Sequence, residues 1–164
     1  MVNDLQMKTQ LFWVGKTDNP HVAALCTDYA DRLRHLTPFA IIELPDPKST
    51  RSLSQDRQKQ WEGDQLLRRI TPQDYLVLLD ERGKQMTSVQ CAAWLQKQLS
   101  SSSRSLVFAI GGPYGFSPEV YARADALLSL SLLTFSHQLV RALFLEQLYR
   151  ACAINHHLPY HHGK

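Results

Sequence analysis

The chain has 164 residues, 44% of them hydrophobic and 20% charged, with a formal net charge of +3 and a pI near 8.8. That length supports one domain with a real core, and no apolar run approaches the roughly 20 residues that a membrane-spanning helix needs. Met1–Lys8 lack the apolar stretch of a signal peptide, and the three cysteines, Cys26, Cys91 and Cys152, form neither a metal-ligand spacing nor a disulfide set. These features point to a reducing cytoplasm, and the mild basicity permits an RNA partner without requiring one.

Gln10–Val14 reads as a first buried strand ended by Gly15. Asn19-Pro20 opens a helix to about His35, with Val22, Leu25, Cys26, Tyr29 and Leu33 near one face. Phe39–Leu44 is a second strand, closed by Pro45 and Pro47. Pro47–Gln60 is polar and charged, either a loop or the exposed start of a helix that reaches Ile70 and breaks at Thr71-Pro72. Tyr75–Leu79 is a third strand, followed by the turn Glu81-Arg82-Gly83-Lys84, and Thr87 caps a helix through about Leu99. Leu106–Ile110 is a fourth strand, Pro118–Ala126 a short helix, and Leu127–Phe135 contains a fifth strand. Gln138–Ile154 is a helix apolar on nearly every side, which calls for burial all round and points to a second subunit. Strands alternating with helices predict an α/β fold, a mostly parallel sheet with helices on both faces.

The most informative stretch is Leu106-Val107-Phe108-Ala109-Ile110-Gly111-Gly112-Pro113-Tyr114-Gly115-Phe116-Ser117-Pro118. An apolar strand runs into two glycines, and Ser117-Pro118 then starts a helix as N-cap and first residue. Ligands of open α/β sheets settle at the carboxyl ends of strands, where glycines let them approach the main chain. The same residues also suit a tight strand-to-helix turn with no ligand. The spacings of a dinucleotide fingerprint or a phosphate-binding loop are absent. Leu130-Ser131-Leu132-Leu133-Thr134-Phe135 reads by itself as plain core. The histidines of the tail, His156, His157, His161 and His162, lack a cysteine or carboxylate to complete a metal site, so no metal is expected.

Several segments resemble the RlmH family of SPOUT (trefoil-knotted) methyltransferases. They are Phe108–Ser117, Leu128–His137, Leu139-Val140-Arg141, Glu146–Ala151 and the tail Asn155–His161, together with Leu79–Lys84. The resemblance covers nearly the whole chain as one domain, 1–164, with residues 1–6 as an N-terminal extension and 155–164 as an active-site tail. It departs at His137, whose neighbours Ser136 and Gln138 replace the usual prolines, and in Asp46–Gln60, where Lys48, Arg51, Arg57 and Lys59 supply the basic charge.

The resemblance implies a C-terminal trefoil knot, S-adenosyl-L-methionine as methyl donor, a homodimer, and no metal or membrane. It implies methylation at N3 of a pseudouridine in 23S ribosomal RNA, within the 70S ribosome or its large subunit. It assigns cofactor binding to Leu79, Gly111, Gly112, Leu130, Ser131, Leu132, Leu133, Thr134 and Phe135. His137, Arg141, Tyr160 and His161 become the candidate catalytic residues. Tyr160 and His161 would stack on and bond a flipped base. His137 would position substrate, against the alternative of a helix cap or a surface residue. Arg141 would face the donor or an RNA phosphate, against a salt bridge with Glu146 or a partner carboxylate. Glu146 and Arg150, four apart on the helix, read as a structural pair. The competing functions are another RNA substrate such as tRNA, or a non-catalytic ribosome-binding protein of the same fold.

Overall fold

The computed structural model describes residues 9–47, 52–101 and 104–163. The extension at residues 1–6, Lys48, Arg51 and Lys164 lie outside them. The strands are β1 (Thr9–Val14), β2 (Phe39–Leu44), β3 (Tyr75–Lys84), β4 (Leu106–Ile110) and β5 (Ala126–Leu128). The helices are α1 (Pro20–Leu36), α2 (Gln55–Leu67), α3 (Ser88–Ser101), α4 (Pro118–Arg123) and α5 (Leu139–Asn155). All strands run parallel, in the order β2-β1-β4-β3-β5.

β4 lies between β1 and β3 and is buried at every position, as expected of a central strand covered on both faces. Strand alternation sends Leu106, Phe108 and Ile110 into one core layer and Val107 and Ala109 into the other. The first layer holds α1, α3 and α5, where Phe108 packs its ring 4.9 Å from that of Phe144 and 6.2 Å from that of Trp94. The second layer holds Leu66 of α2 and Val120 of α4.

Helix starts follow local chemistry. The Asn19 side chain accepts from the His21 and Val22 amides, Ser54 from Arg57, and Ser117 from Val120. Thr87 and Gln90 cap each other reciprocally, at 2.9 and 3.2 Å. The polar stretch after Pro47 is helical from Gln55 onward and ends at Leu67, short of Ile70. The turn expected at Glu81–Lys84 is an excursion within β3, because Leu79 and Lys84 both pair with Leu128. α4 stops at Arg123 rather than Ala126. Asp125 is claimed by the sheet, its carboxylate accepting the Leu76 amide at 2.8 Å, and Ala126 already belongs to β5.

Candidate active site

A cavity of about 530 Å³ opens at the carboxyl ends of β3, β4 and β5. That volume lies within the usual range for small-molecule sites. Leu79, Asp80, Glu81 and Arg82 form one wall, the loop from Ile110 to Phe116 a second, and Leu128, Leu130, Ser131, residues 133–137 and Val140 a third. The glycine loop is a tight turn in which the Gly115 N–H bonds the Gly112 carbonyl at 3.1 Å, with Pro113 at the corner position it favours. A Cβ on Gly111 would stand 3.3 Å from both the Gly115 carbonyl carbon and Phe116 Cζ, so a side chain there would press on the loop.

The third wall is held by its own short bonds. Ser129 Oγ donates to the Ser131 carbonyl at 3.0 Å, and Ser131 Oγ accepts the Leu133 amide at 3.0 Å. Thr134 Oγ1 donates to Glu81 Oε2 at 3.0 Å, fastening this segment to the end of β3. The two residues that replace the usual prolines have work of their own. Ser136 Oγ accepts the Leu139 amide at 3.1 Å, while the Gln138 amide side chain bonds the Lys16 carbonyl and the Asp18 N–H at 3.1 and 2.9 Å.

Of the residues expected to bind a cofactor, all but Leu132 line the cavity; Leu132 is 78% exposed. His137 also lines it. Arg141 does not. It is 1% exposed, and its guanidinium donates to the Val14, Gly15 and His137 carbonyls and to Thr17 Oγ1, at 2.7, 3.1, 3.2 and 2.9 Å. Glu146 pairs with Arg150 at 2.5 Å instead.

Tyr160 and His161 do not line this cavity either. α5 ends in a reversal at His157, whose φ is +57°, with the Leu158 N–H bonded to the Ala153 carbonyl and the His157 N–H to that of Ile154. The reversal lays Tyr160 across α5 and α1. Its hydroxyl donates to Glu146 Oε1 at 2.9 Å and lies 3.1 Å from the Tyr29 hydroxyl, and its ring is 4.8 Å from that of Tyr149. The Arg150 guanidinium lies over the Tyr160 ring and 3.3 Å from His161 Nδ1. Burial and these partners push the Tyr160 phenol well above its ordinary range, so it stays protonated.

The wall that sequence reasoning missed is Asp80, Arg82 and Tyr121. Tyr121 donates to Asp80 Oδ2, the Arg82 amide donates to Oδ1 at 2.8 Å, and the Arg82 guanidinium sits 4.7 Å over the Tyr121 ring. Burial raises the Asp80 pKa, but the bonds from Tyr121 and Arg82 outweigh it and hold the carboxyl below its usual value. The signal was available in Asp80 standing at the carboxyl end of a buried strand. Tyr121, 41 positions further along the chain, carried none. Among the described residues, no group of three or more His, Cys, Asp or Glu side chains is placed to hold a metal ion, and no helix is long and apolar enough to cross a membrane.

A parallel sheet with helices on both faces and a cavity at its strand ends is the frame of an α/β enzyme class. Residues 7–161 match the model of that class, described as "Predicted SPOUT methyltransferase", and the chain is a SPOUT methyltransferase. A relative from Parabacteroides distasonis is 46% identical over 156 residues, covering 95% of this chain and 99% of its own; one from Christiangramia forsetii is 47% identical with the same coverage. Both are named "Ribosomal RNA large subunit methyltransferase H", and the chain belongs to that RlmH family. A probable methylase family protein from Haemophilus influenzae Rd KW20 superposes at a TM-score of 0.49 and 8% identity, over 96% of this chain and 71% of that one, too loosely to add to the argument.

Proposed function

We propose that this chain, as one catalytic domain spanning residues 1–164, transfers a methyl group from S-adenosyl-L-methionine to N3 of a pseudouridine in large-subunit ribosomal RNA. The reaction takes place on the assembled ribosome in the cytoplasm, and the enzyme acts as a homodimer. The observation that carries this reading is the cavity at the strand ends, walled by Leu79, Gly111, Gly112, Leu130, Ser131 and residues 133–135, in a chain so close to its named relatives.

The cavity suits the donor. Leu79, Ile110, Leu130, Leu133, Phe135 and Val140 offer apolar surface to an adenine ring, and Gly111 and Gly112 bring main chain to the wall. Asp80 and Glu81 supply negative charge beside a ligand that bears a sulfonium and an ammonium group. S-adenosyl-L-methionine brings a methyl group already activated on sulfur. The protein's part is to align the imide nitrogen with that methyl and to accommodate the proton the nitrogen loses.

His137, at the edge of the cavity, orients the base. Tyr160 and His161 lie outside the cavity of their own subunit, on a face shared by α1 and α5, so they serve the cavity of the second copy. α1 and α5 also leave Leu25 at 47% and Leu139 at 43% exposure, apolar surface for a partner to cover. The threaded path of a trefoil knot belongs to the same reading. Residues 129–138 carry the chain from the edge strand β5 past β3 and β4 to Lys16 and Asp18 beyond β1.

Incubation with tritiated S-adenosyl-L-methionine and 70S ribosomes, free 23S rRNA or tRNA, followed by identification of the labelled nucleoside, tests the proposal. Label in N3-methylpseudouridine from ribosomes is expected. Label confined to tRNA, or none with any RNA, refutes it.

A further inference from the structure

The glycine loop has a second side. α2 lies under it on the sheet face opposite α5, and its residue Glu62 is only 6% exposed. The Glu62 carboxylate lies against the Gly112 backbone, whose N–H favours its ionised form, and the Gln58 side-chain amide donates to it at 3.1 Å. A Cβ on Gly112 would collide with Glu62 Oε2 and lie 2.7 Å from Oε1. One residue on, a Cβ on Gly63 would stand 2.5 Å from Ser117 Oγ, the cap of α4. α2 therefore meets both ends of the 111–117 loop, at two points where a glycine permits the close approach of a side chain. Gly111 and Gly112 border both the cavity above and the small space facing α2.

A trans peptide is planar, with its N–H and C=O pointing in opposite directions. With the Gly112 N–H turned toward Glu62, the Gly111 carbonyl of the same peptide points away from that carboxylate. We propose that Glu62 is a positioning residue for the methyl-donor site: by accepting the Gly112 N–H from below, it fixes the Gly111 carbonyl as an acceptor for an amino group of the donor. This rests on the donor site proposed above.

A buried carboxylate is costly to keep, which argues that its bond to the loop is worth keeping. Burial pushes the Glu62 carboxyl above the ordinary range. The bonds from Gln58 and Gly112 oppose that rise, and Asp46, from the segment after β2, adds to it. Lys59, on α2 itself, is the cation that lines the same space.

Calorimetry with S-adenosylhomocysteine on Glu62→Gln and Glu62→Met, both of glutamate's length, reads this directly, with near-ultraviolet circular dichroism as the check on folding. Glu62→Gln keeps an acceptor and should bind within about threefold of the wild type. Glu62→Met has none and should bind at least about tenfold more weakly. A folded Glu62→Met protein with wild-type affinity, or equal losses in both variants, overturns the proposal. The Gly112 amide proton gives a ligand-free readout: its NMR shift should titrate in the wild type, with a midpoint above that of an ordinary glutamate, and not in Glu62→Gln. If Glu62→Met fails to fold, an amide that does not titrate in the wild type refutes the contact. Failure of the wild type to bind S-adenosylhomocysteine refutes the donor site instead and leaves that titration to decide the contact.

Discussion

Arg141, near the start of α5, donates from Nη2 to the carbonyl of Val14, the last residue of β1, across 2.7 Å. The same guanidinium lies 4.9 Å over the Trp13 ring, so the helix that closes the site is bolted to the sheet by a cation.

Arg141→Met should therefore act on stability. Removing the guanidinium leaves the Val14 and Gly15 carbonyls without that donor, and breaking such a buried network costs about 3 kcal/mol. For a protein of this size that is a fall of roughly 6–12 °C in melting temperature. S-adenosylhomocysteine affinity of the folded variant should stay within about threefold. A variant that melts like the wild type but has lost turnover would restore Arg141 to the catalytic set.

His137→Ala should have the opposite signature. The ring is half-buried on the wall of the cavity, and its removal leaves the core untouched. Turnover on ribosomes should fall by about a hundredfold, the lower bound of positioned acid–base and orienting effects, with cofactor affinity nearly intact. Unchanged kcat on ribosomes excludes the role.

Gly111→Val should abolish cofactor binding without unfolding the chain. Its Cβ enters a space where the loop main chain and Phe116 are already 3.3 Å away, and its methyls must then displace the loop or fill the cavity. Calorimetry with S-adenosylhomocysteine checks this; wild-type affinity would remove the loop from the site.

Subunits lacking residues 158–164 should bind S-adenosylhomocysteine but not methylate ribosomes, because the tail carries Tyr160 and His161 away from their own cavity. The sharper expectation concerns mixed dimers. Co-expression of the truncated chain with a His137→Ala chain should restore about one working site per mixed dimer, the cavity of the truncated chain served by the intact tail of the other. Mixed dimers as inactive as either parent would place the tail on its own subunit's cavity. A wild-type chain that sediments as a stable monomer at micromolar concentration would remove the basis for both.

What the sequence determined alone was the ladder of elements and the place of the chemistry. Five apolar runs punctuated by Gly, Pro and N-cap residues define the strands and helix starts, because those signals act between residues a few positions apart. Gly111-Gly112-Pro113 located the loop for the same reason. Only the tertiary structure decided which side chains reach the cavity. Arg141 does not line the cavity, because the end of β1, more than 120 residues earlier, supplies the carbonyls that hold its guanidinium. Asp80 and Tyr121 meet only because β3 and α4 are brought together at the strand ends. Glu62 reads as one more charge on a polar helix, and its place under Gly112 depends on the packing of α2 against the sheet. Such contacts join residues far apart in the chain, and the pattern around any one of them carries no trace of the other.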